Sequence, residues 1–124
     1  MAMRLPRRNE MREKAMREVI LAQLGALRAD AGVELVACKD TCVEDYLTGK
    51  ADALAVAMQM VESKALLESM AHFLCHEETR NMNMAESARS CLKDTMARLR
   101  EGAAAGYMAA SRVVTEVREA NKYE

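Results

Sequence analysis

Apolar residues recur every three or four positions along most of this chain, which is the period of an α-helix with one buried face. The longest such pattern runs from about Asn83 to Tyr123 and predicts one helix of about ten turns. A patch of small residues, Gly102 to Gly106, lies at its middle. Glycine costs about 0.5–1 kcal/mol relative to alanine inside a helix, so the patch needs a reason. Because the apolar pattern continues in phase beyond it, we expect close approach to another helix rather than a kink.

The first part of the chain predicts a short basic arm over residues 1–6 and then a long helix, from Pro6 or Arg7 to about Ala31. Proline suits the first turn of a helix because its missing N–H would have no partner there. Gly32 is the predicted stop, since glycine often follows the last helical residue.

Residues 32–50 show the least regular pattern, and we interpret them as a linker that holds one short helix. Asp40 and Thr41 can cap that helix, and Glu44 follows Thr41 by three residues, as in a capping box. The short helix is expected to reach about Leu47 and to end at Thr48–Gly49.

A second long helix is predicted from Lys50 or Ala51 to about Arg80, with Asn81 to Asn83 as the turn into the last helix. So short a turn makes the last two helices antiparallel neighbours. The whole pattern predicts a single all-α domain over residues 1–124. We expect a bundle of three long helices plus one short helix, completed by oligomerisation.

The composition supports helices but predicts a thin core. Hydrophobic residues make up 51% of the chain, yet there are 11 Met, only 3% aromatic residues and one Pro. Alanine is also abundant and buries little apolar area, so association with a second chain is one way to add burial. We therefore expect a homo-oligomer whose interface is the seam of the last helix: Leu99, Ala103, Gly106, Ala110, Val113 and Val117.

The net charge of −1 conceals an uneven distribution. Residues 1–28 hold seven Lys/Arg and three Glu, whereas residues 29–79 hold three Lys and ten Asp/Glu. Such segments suit contact with each other or with a charged partner. The acidic segment is the predicted face for a basic protein partner, through Asp40, Glu44, Asp45 and Asp52. The basic segment leaves a nucleic-acid role open, although interleaved glutamates weaken it.

Four cysteines and two histidines are the candidates for site chemistry. Thiolate and imidazole groups bind zinc in tetrahedral sites, so zinc is possible if two cysteines of the irregular segment meet a His–Cys pair of the second helix. That set is Cys38, Cys42, His72 and Cys75. No nucleophile, base and oxyanion hole occur together, so we expect no enzyme.

The chain contains no run of about 18–20 apolar residues and no signal-peptide pattern, so we expect no membrane insertion and a reducing, cytoplasmic compartment. The leading functional hypothesis is a small, non-catalytic interaction protein that binds and regulates or inhibits a macromolecular partner, of phage or mobile-element type. One alternative is a metal- or thiol-responsive transcriptional regulator. The other is a helical oligomer that binds a small ligand between its helices.

Overall fold

The structure, a computed structural model, describes residues 8–63 and 65–122 and contains four α-helices there. Within those ranges there is no strand, so the predicted all-α bundle is confirmed. The predicted arm over residues 1–6 and the predicted helix start at Pro6 or Arg7 lie outside the described residues. The helices are α1 (Arg8–Ala37), α2 (Thr41–Glu62), α3 (Leu67–Ser90) and α4 (Asp94–Ala120).

The predicted linker over residues 32–50 is wrong, because α1 continues through Gly32 and only residues 38–40 separate it from α2. Asp40 does cap the next helix: it is the N-cap of α2, and its side chain accepts a hydrogen bond of 2.8 Å from the backbone N–H of Cys42. The helix that we expected to be short continues through Gly49 as a 22-residue helix. The bundle therefore has four long helices.

The second helix of the prediction is divided in the structure by a break between the end of α2 at Glu62 and the start of α3 at Leu67. Arg17 of α1 holds that break, because its guanidinium donates hydrogen bonds to the carbonyl oxygens of Val61 (2.8 Å), Ser63 (3.0 Å) and Ala65. These carbonyls would lack partners at a helix end, and one planar cation satisfies them together. The contact also docks α1 against the end of α2.

The predicted turn at Asn81–Asn83 is also wrong, since α3 stays helical to Ser90 and the chain turns at residues 91–93. Asn81 is a buried helix residue that donates a hydrogen bond of 2.8 Å to the carbonyl of Glu77. The left-handed turn position is taken by Leu92, which has a φ of 59°. Residues 83–93 of the long apolar pattern thus belong to α3 and its turn, not to α4.

The four helices alternate in direction, and α4 packs extensively against both α2 and α3. Helices α2 and α4 run parallel, since Tyr46 lies by Gly102 and Ala53 lies by Gly106. Helix α1 packs mainly on α2, whereas α2 and α3 scarcely touch. The core between them contains aliphatic side chains from all four helices, among them Ile20, Leu24, Leu54, Val61, Met70, Leu74 and Val114.

Glycines on both helices make the α2–α4 contact possible, as the small-residue patch predicts. A Cβ on Gly102 would fall on the backbone carbonyl of Tyr46, and one on Gly49 would fall on the carbonyl of Leu99. A Cβ on Gly106 would lie 2.7 Å from the carbonyl oxygen of Lys50. Gly49 is therefore a contact residue and not a helix stop. Close approach is confirmed, and the partner helix belongs to the same chain.

The seam that we predicted as an oligomer interface lies within the chain. Gly106, Ala110, Val113 and Val117 are buried, and Leu99 and Ala103 are partly buried. Because the chain's own helices cover these residues, this seam does not require a second chain. Oligomerisation through another surface stays a prediction. Among the helices of residues 8–63 and 65–122, none combines the length and apolar character that crossing a membrane requires.

Candidate binding cleft between α2, α3 and α4

An open cleft lies over α4, because α2 and α3 both pack on α4 without closing on each other. Its volume is about 400 Å³. Ala103 and Gly49 form apolar parts of its wall where α2 and α4 approach most closely. The polar groups of the cleft come from three helices: Asp52, Glu77, Arg80, Asn81, Arg100 and Tyr107.

Asn81 organises the polar side of the cleft. It is 3% exposed, and among the described residues it is the buried polar side chain of the core. Its amide donates to the Glu77 carbonyl, and its Oδ1 accepts a hydrogen bond of 3.3 Å from Nη1 of Arg100. Buried polar groups need such partners, and here they tie α3 to α4. The Glu77 carboxylate pairs with Arg80 at 3.3 Å, one turn along the same helix.

Tyr107 contributes a phenol to the lining of this cleft. Burial raises its pKa above the ordinary value of 10.0, and the nearby Glu77 carboxylate raises it further. The phenol therefore stays neutral at physiological pH and can both donate and accept a hydrogen bond. The cleft offers cations, carboxylates and a neutral hydroxyl, which suits a polar ligand better than a purely apolar one.

A second, more apolar groove adjoins the cleft, where α3 ends and α4 begins. It encloses about 560 Å³ and shares Arg80 and Met96 with the cleft. Met84, Ala88 and Lys93 are among the residues that line it. The groove also includes His76, Thr79, Asn83, Ser87 and Cys91.

The groove leaves apolar side chains in contact with water. Met96, in the first turn of α4, is 48% exposed. Leu92, in the adjoining turn but outside the groove lining, is 87% exposed. Methionine is flexible and polarisable, so it adapts to differently shaped apolar partners. Clustered exposure of this kind marks interaction sites more often than isolated apolar residues do.

The predicted acidic face is partly used inside the chain. Asp40 caps α2, and Asp45 accepts hydrogen bonds from Nε (3.1 Å) and Nη2 (3.0 Å) of Arg98 on α4. The bonds with Asp45 raise the pKa of Arg98. Glu44 and Asp52 are exposed, and Asp52 borders the cleft. Partner contact through the four carboxylates stays a prediction, and Glu44 and Asp52 are the two that take no part in these internal contacts.

The predicted zinc ligands are not brought together. Cys38 and Cys42 flank the α1–α2 connection, at the end of the bundle where α4 begins. His72 and Cys75 are exposed in the first turns of α3, whose Ala71 carbonyl accepts a 3.5 Å hydrogen bond from Ser111, far along α4. The two pairs therefore lie toward opposite ends of the bundle. In residues 8–63 and 65–122, no three His, Cys, Asp or Glu residues are grouped to hold a metal ion.

Sequence reasoning missed the residues that shape this site. Asn81 was interpreted as a turn residue, and Arg100 was not singled out. The available signal was the position of Asn81 between Leu74 and Ala88 on the buried face of α3. A polar residue at a core position calls for a buried partner, but the pattern alone does not identify which one.

No known protein-family model matches this chain, and neither a curated relative nor a solved structure with significant similarity was found.

Proposed function

We propose that this chain is a non-catalytic interaction protein that binds and regulates a macromolecular partner through the groove between α3 and α4. The observation that carries the proposal is the groove itself, about 560 Å³ in volume, with Met84 and Met96 facing it. Protein sites for ligands and anchoring side chains commonly span about 300–1,000 Å³. The space suits two or three apolar side chains on one face of a partner helix.

The charges around the groove favour a partner that carries carboxylates beside its apolar residues. Arg80 and Lys93 border the groove, and Arg80 is only partly neutralised by its exposed pair with Glu77. Exposed charges at a rim act mainly on the rate of association and on specificity. Binding should therefore weaken as the salt concentration rises. Salt screens exposed charges that are separated by more than the Debye length, which is about 8 Å at physiological ionic strength.

The proposal includes a reducing compartment such as the cytoplasm. All four cysteines are free thiols, and three of them are exposed. Exposed free thiols persist where disulfide formation is disfavoured. The chain would regulate or inhibit its partner by occupying the partner's surface, as a protein of phage or mobile-element type.

Site-specific photo-cross-linking tests the proposed groove. A benzophenone amino acid replaces Ser87, which is exposed and lines the groove, and Met82 serves as the matched position on another side of α3. We expect position 87 to capture one discrete protein from a lysate of the source cells, and position 82 to capture none. Mass spectrometry then identifies the partner and its cross-linked segment.

A second substitution separates groove binding from incidental capture. Met96→Asp places a carboxylate in the groove at a half-exposed position, and Thr95→Asp adds the same charge next to it but outside the groove lining. Met96→Asp should abolish the cross-link from position 87 and Thr95→Asp should preserve it. Equal capture in both variants would show that the groove is not the binding site.

The polar cleft supports a second candidate function, the binding of a small polar ligand. The specific observation is the Arg100–Asn81 pair beside a neutral Tyr107 hydroxyl, in an open cleft of about 400 Å³. Native mass spectrometry of the protein purified from source cells would detect a retained ligand. Loss of the added mass in Arg100→Met, with Ser87→Asp in the groove retaining it, would favour the cleft over the groove.

A further inference from the structure

Helix α1 is apolar on two opposite sides, and only one of them faces the bundle. Ile20, Leu24 and Ala31 form the inner side and are buried against the other helices. The outer side carries another apolar series, which the structure leaves exposed along most of the helix. Its members are Ala15, Val19, Ala22, Ala26, Ala29, Val33 and Val36.

The outer series has the spacing of a coiled-coil seam. Successive members are four and three residues apart in strict alternation, which is a period of 3.5 residues. The seam covers about 32 Å of helix at 1.5 Å per residue. We call Ala15 to Val36 in this series the outer seam of α1.

The outer seam has no cover within the described part of the chain. Val19 is 47% exposed, Val33 is 70% exposed and Val36 is 90% exposed. A Cβ added to Gly32, beside the seam, would meet no atom within 4 Å. A continuous apolar helix face of this length is unusual on a surface that meets only water.

The charges of α1 favour a second copy in antiparallel orientation. Residues 8–28 carry five Lys/Arg and three Glu, whereas residues 29–37, the end of the helix, carry Asp30 and Glu34 and no Lys or Arg. An antiparallel pair places the basic half of each helix against the acidic half of the other. A parallel pair would place like charges together, which disfavours association.

We propose that the outer seam of α1 is the interface of an antiparallel homodimer. In the register that pairs the seam with itself, Val19 lies opposite Val36 of the second copy, and Ala26 lies opposite Ala29 of the second copy. Alanines at the centre allow the two helices to approach closely.

This interface is distinct from the α3–α4 groove of the proposed function, and it replaces the α4 seam as the surface for self-association. The α4 seam is buried within the chain, whereas the α1 seam is exposed. Self-association through α1 adds the burial that an alanine-rich chain needs without opening the bundle.

Sedimentation velocity of the full chain over a hundredfold concentration range, at low salt, tests the proposal. The wild type should shift from the chain mass of 13.8 kDa to twice that mass as concentration rises. Ala26→Glu places two carboxylates at the centre of the seam and should raise the dissociation constant at least tenfold. Thr115→Glu, an equal change on the exposed side of α4, should leave it unchanged. Circular dichroism melting confirms that both variants are folded.

A wild type that stays at 13.8 kDa throughout would overturn the proposal. Ala26→Glu dimerising as well as Thr115→Glu would assign the dimer to another surface and also overturn it.

Discussion

Replacing Gly102 by alanine adds one methyl group at the tightest point between α2 and α4. The new Cβ would fall on the backbone carbonyl of Tyr46, which cannot rotate away as a side chain can. The helices must separate by about 1.5 Å to restore ordinary contact distances, and overpacking of this kind costs typically 1–3 kcal/mol. The strain should be at the upper end of that range because both clashing groups are on helix backbones.

The net effect is smaller than the strain, because alanine favours helix over glycine by about 1 kcal/mol. We therefore expect Gly102→Ala to lower the free energy of unfolding by about 2 kcal/mol, or the melting temperature by about 8 °C for a chain of this size. Gly32→Ala is the matched control, since a Cβ there meets nothing within 4 Å. It should raise the free energy of unfolding by about 0.5–1 kcal/mol.

Urea unfolding followed by circular dichroism, at a protein concentration low enough to keep the chain monomeric, measures both changes. Gly102→Ala should be less stable than the wild type and Gly32→Ala more stable. The free energies of unfolding of the two variants should differ from each other by about 3 kcal/mol. If Gly102→Ala is as stable as Gly32→Ala, the α2–α4 contact is looser than described and the reasoning from glycine to close packing is refuted.

Three further predictions follow from single contacts. Arg17→Gln should lower the free energy of unfolding by about 2 kcal/mol in urea titrations, because it leaves the carbonyls of the α2–α3 break without their charged donor; an unchanged midpoint would contradict this. Asp45→Asn should lower the melting temperature, because it weakens the link to Arg98, whereas the exposed Glu44→Gln should not. Equal melting temperatures would argue against that link. The raised pKa of Tyr107 means that its contribution to stability is full below about pH 10 and is lost as pH rises through the raised value. Tyr107→Phe should therefore lose less stability than the wild type between neutral and strongly alkaline pH, and parallel losses would refute the assignment.

The fold class and the glycine contact were predictable, but several helix boundaries were not. Gly32, Gly49 and Asn81 all resemble local stop signals, and the structure uses each inside a helix. Gly49 admits the backbone of α4, and Asn81 binds Arg100. The break between α2 and α3 instead depends on Arg17, which lies 44 residues before Val61 in the chain. No local pattern reports such a distant donor.

The candidate site depended on those boundaries. Moving the α3–α4 turn from Asn81–Asn83 to residues 91–93 lengthens α3 and changes which of its residues face α4. The Asn81–Arg100 pair and the apolar groove exist only in the longer α3. The apolar spacing of α3 continues through the turn into that of α4, so the spacing does not mark where the turn lies. The site could therefore not be derived before the register of α3 on α4 was known.

Methyl NMR of the methionine-labelled protein tests most directly whether a partner binds in the groove between α3 and α4. The chain has 11 Met, with Met84 and Met96 lining the groove and Met11 and Met82 exposed elsewhere. Titration with the partner captured from position 87 should shift or broaden the methyl signals of Met84 and Met96 and leave those of Met11 and Met82 in place. Unchanged Met84 and Met96 signals at saturation, with shifts confined to Met11 or Met82, would contradict the account.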